Sequence, residues 1–340
     1  MLMNSFSKII ATVVTLCFLV TGCSYTPVES GPAGKDYEVV LLCNEPEWAG
    51  ELGDTLRSVL QAPVEELMIY EPMYDVRQIP HSSFGEATKR FRNIIAVNVT
   101  PEVKAPGIFV QNDRFIPSQT YIAIQGPTQT SVAEYVAEHR DEIYHVLEKS
   151  ERGRSQSMAT KNPATELETL IEKKFGVKMK FDANYTLRSE SEDMVWISKE
   201  FTTSSQGFFI YKRPYHGKED ITAEAIVAAR NKFAARIPGP LEGSYMITVD
   251  KIPDQSGEQY IPFDPTYRIY SLGDQPWIEM CGLWEVANYF MGGPYISYTA
   301  LNNKTNEVVT IDCYVYSPKE IKRNLFRELQ HLIYDAEVVK

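Results

Sequence analysis

Trp284-Glu285, followed by Met291-Gly292-Gly293-Pro294-Tyr295, is the cluster whose residue types could do the most chemistry. Two consecutive glycines permit positive φ and close backbone approach, so this turn can admit a ligand while Trp284 and Tyr295 stack on it. Glu285 with Asp312 or Glu279 would then supply the paired carboxylates of a glycan hydrolase, which sit roughly 5 to 9.5 Å apart. The plainer reading is a glycine turn joining two strands, with Trp284 and Tyr295 filling a sheet face. Glu138, Glu142 and His145 recur at i, i+4 and i+7 and could present three ligands on one helix face. However, Val132, Val136, Ile143 and Leu147 define the buried stripe of that helix, which turns the Glu/His row towards water. His81, His216 and His331 stand apart with no Ser/Cys-His-Asp pattern, so no nucleophile is nominated. Phosphate loops and Cys-x-x-Cys spacings are absent, and no cofactor or metal is expected.

A second kind of chemistry stands at the N-terminus. Met1 to Lys8 carry one positive charge, and Ile9 to Val20 are almost wholly apolar. The run closes on Val20-Thr21-Gly22-Cys23, the pattern of a signal peptide over residues 1–22. Twelve apolar residues fall short of the ~20 that a spanning helix needs. The small residues before Cys23 resemble a bacterial lipobox, which implies a diacylated Cys23 and a chain tethered to the lipid bilayer; two acyl chains hold firmly where one does not. Residues 23–35, with Pro27, Pro32 and small polar residues, read as a spacer. A single acidic residue, Glu29, follows Cys23 closely, so the periplasmic side of the outer membrane is expected.

The rest of the 340 residues must fold. A 44 % hydrophobic, 23 % charged composition is ordinary for globular chains, and the length allows two core-bearing units. Thirty-four basic against 45 acidic residues give net −11, and removing residues 1–22, which carry Lys8 and no acid, makes it −12. Nucleic acid is therefore a poor partner.

Strands are expected at Tyr37 to Cys43, Asn93 to Thr100, Ile108 to Asn112 and Gln119 to Gln125. A helix with an Asn44/Glu47 capping box follows the first strand, and a second, with a Ser131/Glu134 box, runs to about Arg152. The polar, breaker-containing stretch Gly153 to Pro163 marks a boundary between halves at 36–155 and 163–340. The second half offers helices from Ala164 and Ala223, the latter with Arg230 snorkelling at the edge of an apolar face. Strands near Val177 to Leu187, Met194 to Glu200, Gly207 to Tyr211, Ser244 to Lys251, Tyr267 to Leu272, Trp277 to Val286, Tyr295 to Leu301 and Glu307 to Tyr316 complete it. A closing helix has Ser317 as N-cap, Pro318 at N1 and Glu320 at N3. The class is α+β: mixed and antiparallel sheets with amphipathic helices packed on one face, in two intimately packed halves.

The lipobox, Glu47-Trp48-Ala49-Gly50-Glu51-Leu52-Gly53-Asp54, Arg92-Asn93-Ile94-Ile95, Ile237-Pro238-Gly239-Pro240 with Gly243-Ser244-Tyr245-Met246, Gly282-Leu283-Trp284-Glu285 with Met291-Gly292-Gly293-Pro294, and Val315-Tyr316-Ser317-Pro318 with Lys322-Arg323 occur together. In that combination the chain is similar to an uncharacterised family of Bacteroidetes lipoproteins known as a domain of unknown function. The resemblance spans the mature chain and carries over no activity. It implies an arginine where this chain has Cys281 and a glycine where it has Cys313, and the paired appearance of two cysteines points to a bridge. Adjacent strands would allow that bridge, whereas a meander with the Tyr295 strand between them would forbid it. The functional expectation is a membrane-anchored, non-enzymatic binding or assembly factor of the cell envelope with a protein or glycan partner. The alternatives are an envelope glycan hydrolase and a structural subunit that assembles by strand addition.

Overall fold

The computed structural model describes residues 31–272 and 275–338. Cys23 and the segment before it lie outside the described residues. The first half is built on strands β1 (Glu38–Leu42), β2 (Asp75–Ile79), β3 (Asn93–Val99), β4 (Gly107–Asn112) and β5 (Thr120–Gly126), in the order β2-β1-β3-β5-β4. All neighbours are parallel except the edge strand β4. Parallel strands need cover on both faces, which is why Val39 to Leu42 and Ile94 to Val97 read as unbroken apolar runs.

Helices α1 (Glu45–Trp48), α2 (Glu51–Leu60), α3 (Gln129–Glu138) and α4 (Arg140–Lys161) follow in chain order, and α2 to α4 pack Leu52, Leu56, Val132, Val136, Ile143 and Leu147 against one face. The expected Asn44 capping box does not form: Asn44 makes no side-chain cap, and the helix breaks at Ala49-Gly50. The second box sits three residues earlier than expected, with Thr128 as N-cap and Ser131 at N3. The supposed boundary stretch is also helical, since α4 runs through Gly153 to Lys161. Its small and polar residues suit a helix that lies between the two halves rather than one buried in a core.

The second half adds α5 (Thr165–Phe175), ended by left-handed Gly176, then β6 (Val177–Lys178), β7 (Thr186–Glu190), β8 (Met194–Glu200), β9 (Ser205–Pro214) and α6 (Ala223–Ala234). Next come β10 (Met246–Thr248), β11 (Lys251–Pro253), β12 (Tyr260–Pro262), β13 (Thr266–Leu272), β14 (Gln275–Val286), β15 (Tyr289–Asn302), β16 (Glu307–Tyr316), α7 (Arg323–Ile333) and β17 (Glu337–Val338). An eight-stranded antiparallel sheet runs β10-β14-β15-β16-β9-β8-β7, with β13 also on β14. Helices α5 and α7 cover one face and α6 the other.

The closing helix starts at Arg323, five residues later than the Ser317 cap implies, and Ile321 is exposed. Its N-terminus is capped from the other half: Lys322 N and Arg323 N donate to the Glu71 carboxylate at 3.0 and 2.6 Å. The buried Arg323 guanidinium donates to Pro72 O at 2.6 Å and pairs with Asp75 at 2.7 Å. Helix α7 therefore belongs to the second core and is also the element that binds the halves together.

Candidate functional site

The aromatic-glycine cluster lies in the β14–β15 hairpin, where Gly282 faces Tyr295, Trp284 faces Gly293 and Glu285 faces Gly292. Trp284 is 2 % exposed and Tyr295 fully buried. Trp284 Nε1 donates to Val315 O at 3.3 Å, and its ring meets Tyr314 edge-on. Neither Gly292 nor Gly293 has positive φ. A Cβ on Gly293 would fall 2.0 Å from Val315 O, and one on Gly292 2.5 Å from Trp284 O. These glycines let neighbouring backbones approach, so the expected ligand cradle is instead packed core.

The carboxylates do not converge either. Glu285 is exposed at the strand end, while Glu279 and Asp312 are buried on opposite faces of the sheet. Glu279 accepts from Tyr298 Oη at 2.7 Å and from Arg268. Asp312 pairs with Arg230, and both are fully buried: Nε to Oδ2 is 2.8 Å and Nη2 to Oδ1 is 3.3 Å. Arg230 also donates to Thr248 Oγ1 at 2.9 Å and lies 3.5 Å from the Tyr295 ring centroid. It is thus a core residue and not the snorkelling edge residue that α6 periodicity predicts, because Asp312 meets its charge inside. Burial pushes the Asp312 carboxyl up to about 7, against the pull of Arg230.

Cys281 and Cys313 are free and buried, as is Cys43. Ile296 on β15 stands between Cys281 and Cys313 in register, so their strands are two spacings, roughly 10 Å, apart. The meander therefore forbids the bridge that the resemblance pointed to. Burial pushes the Cys43 thiol up to about 12 and raises the other two further, which leaves all three inert at neutral pH.

Helical spacing correctly turned Glu138, Glu142 and His145 outward, and the break at His139 parts Glu138 from the other two. Among the described residues no group of three or more His, Cys, Asp or Glu is placed to hold a metal ion. No described helix is long and apolar enough to cross a membrane.

The groups that do converge lie between the halves. A cleft of about 920 Å³ is lined by Tyr144, Glu148 and Arg152 from α4 and by Tyr270, Arg327 and Tyr334 from the second half. Tyr270 and Tyr334 stack at 5.8 Å, and the Arg152 guanidinium lies 5.5 Å from the Tyr334 ring centroid. Arg152 also donates to Tyr334 O at 3.0 Å and pairs with Asp335. Arg327 reaches Glu66 at 3.5 Å. Burial would raise the Glu148 pKa, but the His331 hydrogen bond and the charge of Arg327 outweigh it and hold the carboxyl below its ordinary value.

Behind the cleft, His331 Nε2 is 2.8 Å from Glu148 Oε1 and 3.0 Å from Tyr37 Oη, and Nδ1 is 3.0 Å from Ser155 Oγ. Ser155, His331 and Glu148 have the contacts of a Ser-His-acid set, assembled from residues up to 183 positions apart. His331 is 1 % exposed, however, and neither it nor Ser155 lines the cleft. The set ties α7 to α4 rather than offering a nucleophile to substrate. No sequence motif marks this region, because its members come from widely separated segments.

A family model described as Domain of unknown function (DUF4837) matches residues 164–335, and another, Domain of unknown function (DUF8532), matches residues 32–160. The first covers half of the chain, and the chain belongs to that family. No functionally curated protein matches it. Among solved structures, the Saccharomyces cerevisiae Ran-binding protein Mog1p is 11 % identical, over 48 % of this chain and 91 % of its own, with a TM-score of 0.29. A mutant of protein Mog1 is 12 % identical, over 48 % and 92 %, with a TM-score of 0.28. At these scores the likeness carries no argument about this chain.

Proposed function

We propose that this member of the family is a lipoprotein held at the periplasmic side of the outer membrane by diacylated Cys23, where it serves as a non-enzymatic binding or assembly factor whose ligand occupies the cleft between the halves. The observation that carries the reading is the state of the acids. A glycan hydrolase needs a reachable carboxyl whose pKa is raised so that it can donate a proton. Here the raised carboxyl, Asp312, is sealed in the core against Arg230, and Glu148, which lines the cleft with Asp141 and Asp335, is held below its ordinary value by His331 and Arg327. What the cleft does supply is tyrosine faces beside fixed charges of both signs, a chemistry suited to an envelope glycan or peptide.

Titration calorimetry with a soluble disaccharide-pentapeptide fragment of peptidoglycan tests this. Stoichiometric binding is expected, weakened about tenfold by Tyr270→Ala through loss of one stacking face, with the fragment recovered intact. Release of a new reducing end, or binding indifferent to Tyr270→Ala, would overturn it. Mass spectrometry of the mature chain tests the anchor, and an unmodified Cys23 removes it.

A further inference from the structure

The described chain enters the fold at one distinctive surface. Ala33 bridges Phe91, with Ala33 N donating to Arg90 O at 2.7 Å and Arg92 N to Ala33 O at 3.0 Å. Ala33 is the tenth residue after Cys23, so extended chain can span at most about 35 Å between them. An acyl anchor on Cys23 would keep this surface near the bilayer.

The surface is the face of the five-stranded sheet that takes no α-helix among the described residues. Val40, Ile94, Ala96 and Tyr121 are covered there by loops carrying Phe84 and Phe91. Phe115 stacks edge-on against Phe84 at 5.7 Å and against Tyr121 at 5.9 Å, and it remains 36 % exposed. Phe109 on edge strand β4 is 53 % exposed. Cations sit over these rings: Arg114 is 4.2 Å from the Tyr121 centroid and 5.2 Å from that of Phe115, Arg77 is 5.6 Å from Phe91, and Lys89 is 5.7 Å from Phe115. Residues 77–92 hold Arg77, Lys89, Arg90 and Arg92 against the single acid Glu86, in a chain with 34 basic and 45 acidic residues; Lys89 pairs with Glu86 and Arg92 with Asp36 and buried Glu151, while Arg77 and Arg114 are exposed and present their charge to solvent. Another exposed aromatic tip, Tyr289 and Phe290, has no base near it in sequence, and exposed Tyr260 and Phe201 each have a single cation, Lys251 and Lys199, both 5.7 Å from the ring.

Half-exposed aromatic rings under a layer of Arg and Lys match the headgroup region of an anionic bilayer, where rings settle at the interface and each base adds attraction. We propose that this face docks on anionic lipid headgroups of the membrane that holds Cys23, an inference that rests on the anchoring reading above.

Vesicle co-sedimentation tests it with two chains, the acylated protein and its unacylated Cys23→Ser counterpart. The Cys23→Ser chain should bind vesicles of phosphatidylethanolamine and phosphatidylglycerol at low salt at least about tenfold better than vesicles of phosphatidylcholine. Arg77→Glu/Arg114→Glu should abolish that preference, whereas Lys173→Glu/Lys218→Glu, with the same change in net charge, should keep it. Equal binding of the Cys23→Ser chain to both vesicles, or equal loss with either double replacement, overturns the docking face whatever the state of Cys23. Failure of the anchor alone shows separately, as acyl-free Cys23 in the wild-type chain.

Discussion

Arg230 and Asp312 stand 82 positions apart, yet they form the one ion pair in the described structure with both side chains fully buried. Removing a single partner leaves the other charge in the core, so Asp312→Ala should cost about 3 to 5 kcal/mol, while Arg230→Met/Asp312→Leu should recover most of it; urea unfolding reads both. Burial pushes the folded carboxyl up to about 7 from the ordinary 3.8 of the unfolded chain. The folded state therefore holds the extra proton between these values, and this group's contribution to stability declines as pH rises from about 4 to about 7. Wild-type midpoints should fall across that window relative to the double variant. Gly293 is decided by neighbours in the same way: alanine there meets Val315 O, and about 3 kcal/mol of stability should be lost. Cys43, Cys281 and Cys313 should all react with a thiol reagent when unreduced Cys23→Ser protein without residues 1–22 is unfolded. A count of one would restore the bridge. The residue types at these positions were plain in the sequence, but their partners were not, because each partner arrives from a distant strand.

Element positions were legible where burial imposes a pattern along one segment. The runs in β1, β3 and β5 and the apolar stripe of α3 and α4 needed no tertiary knowledge, since parallel strands covered on both faces must be apolar throughout. Helix ends were less legible, because a cap depends on which oxygen reaches a free N–H. Ser131 and Thr128 both satisfy the local rule. The structure uses Thr128 Oγ1, which accepts from Ser131 N at 3.2 Å, and the extra turn brings Val132 and Ala133 onto the sheet. Thr128→Ala should cost about 1 kcal/mol. At α7 the acceptor is Glu71, about 250 residues away, and no local rule could name it. Glu71→Ala should lower stability by about 1 to 2 kcal/mol, read by chemical denaturation, and the helix-start signal at Ser317 would not compensate.

At the scale of the whole molecule, α7 joins two cores that each have their own sheet. Arg323 is buried among groups of the first half, so the halves should unfold together: fluorescence of Trp48 in one and of Trp277 and Trp284 in the other should give a single midpoint. Arg323→Ala should separate the two transitions. By itself, the sequence determined the α+β class, the strand runs, the outward row of Glu138, Glu142 and His145, and an acidic chain with a lipobox-like start, because each is written in local periodicity or composition. Only the tertiary structure decided that Trp284 and Tyr295 are core, that Cys281 and Cys313 are held apart by Ile296, that Arg230 is buried, and that the cleft lies between the halves. Those outcomes depend on which strands become neighbours and which charges meet inside, and strand order is a long-range choice that no single segment encodes.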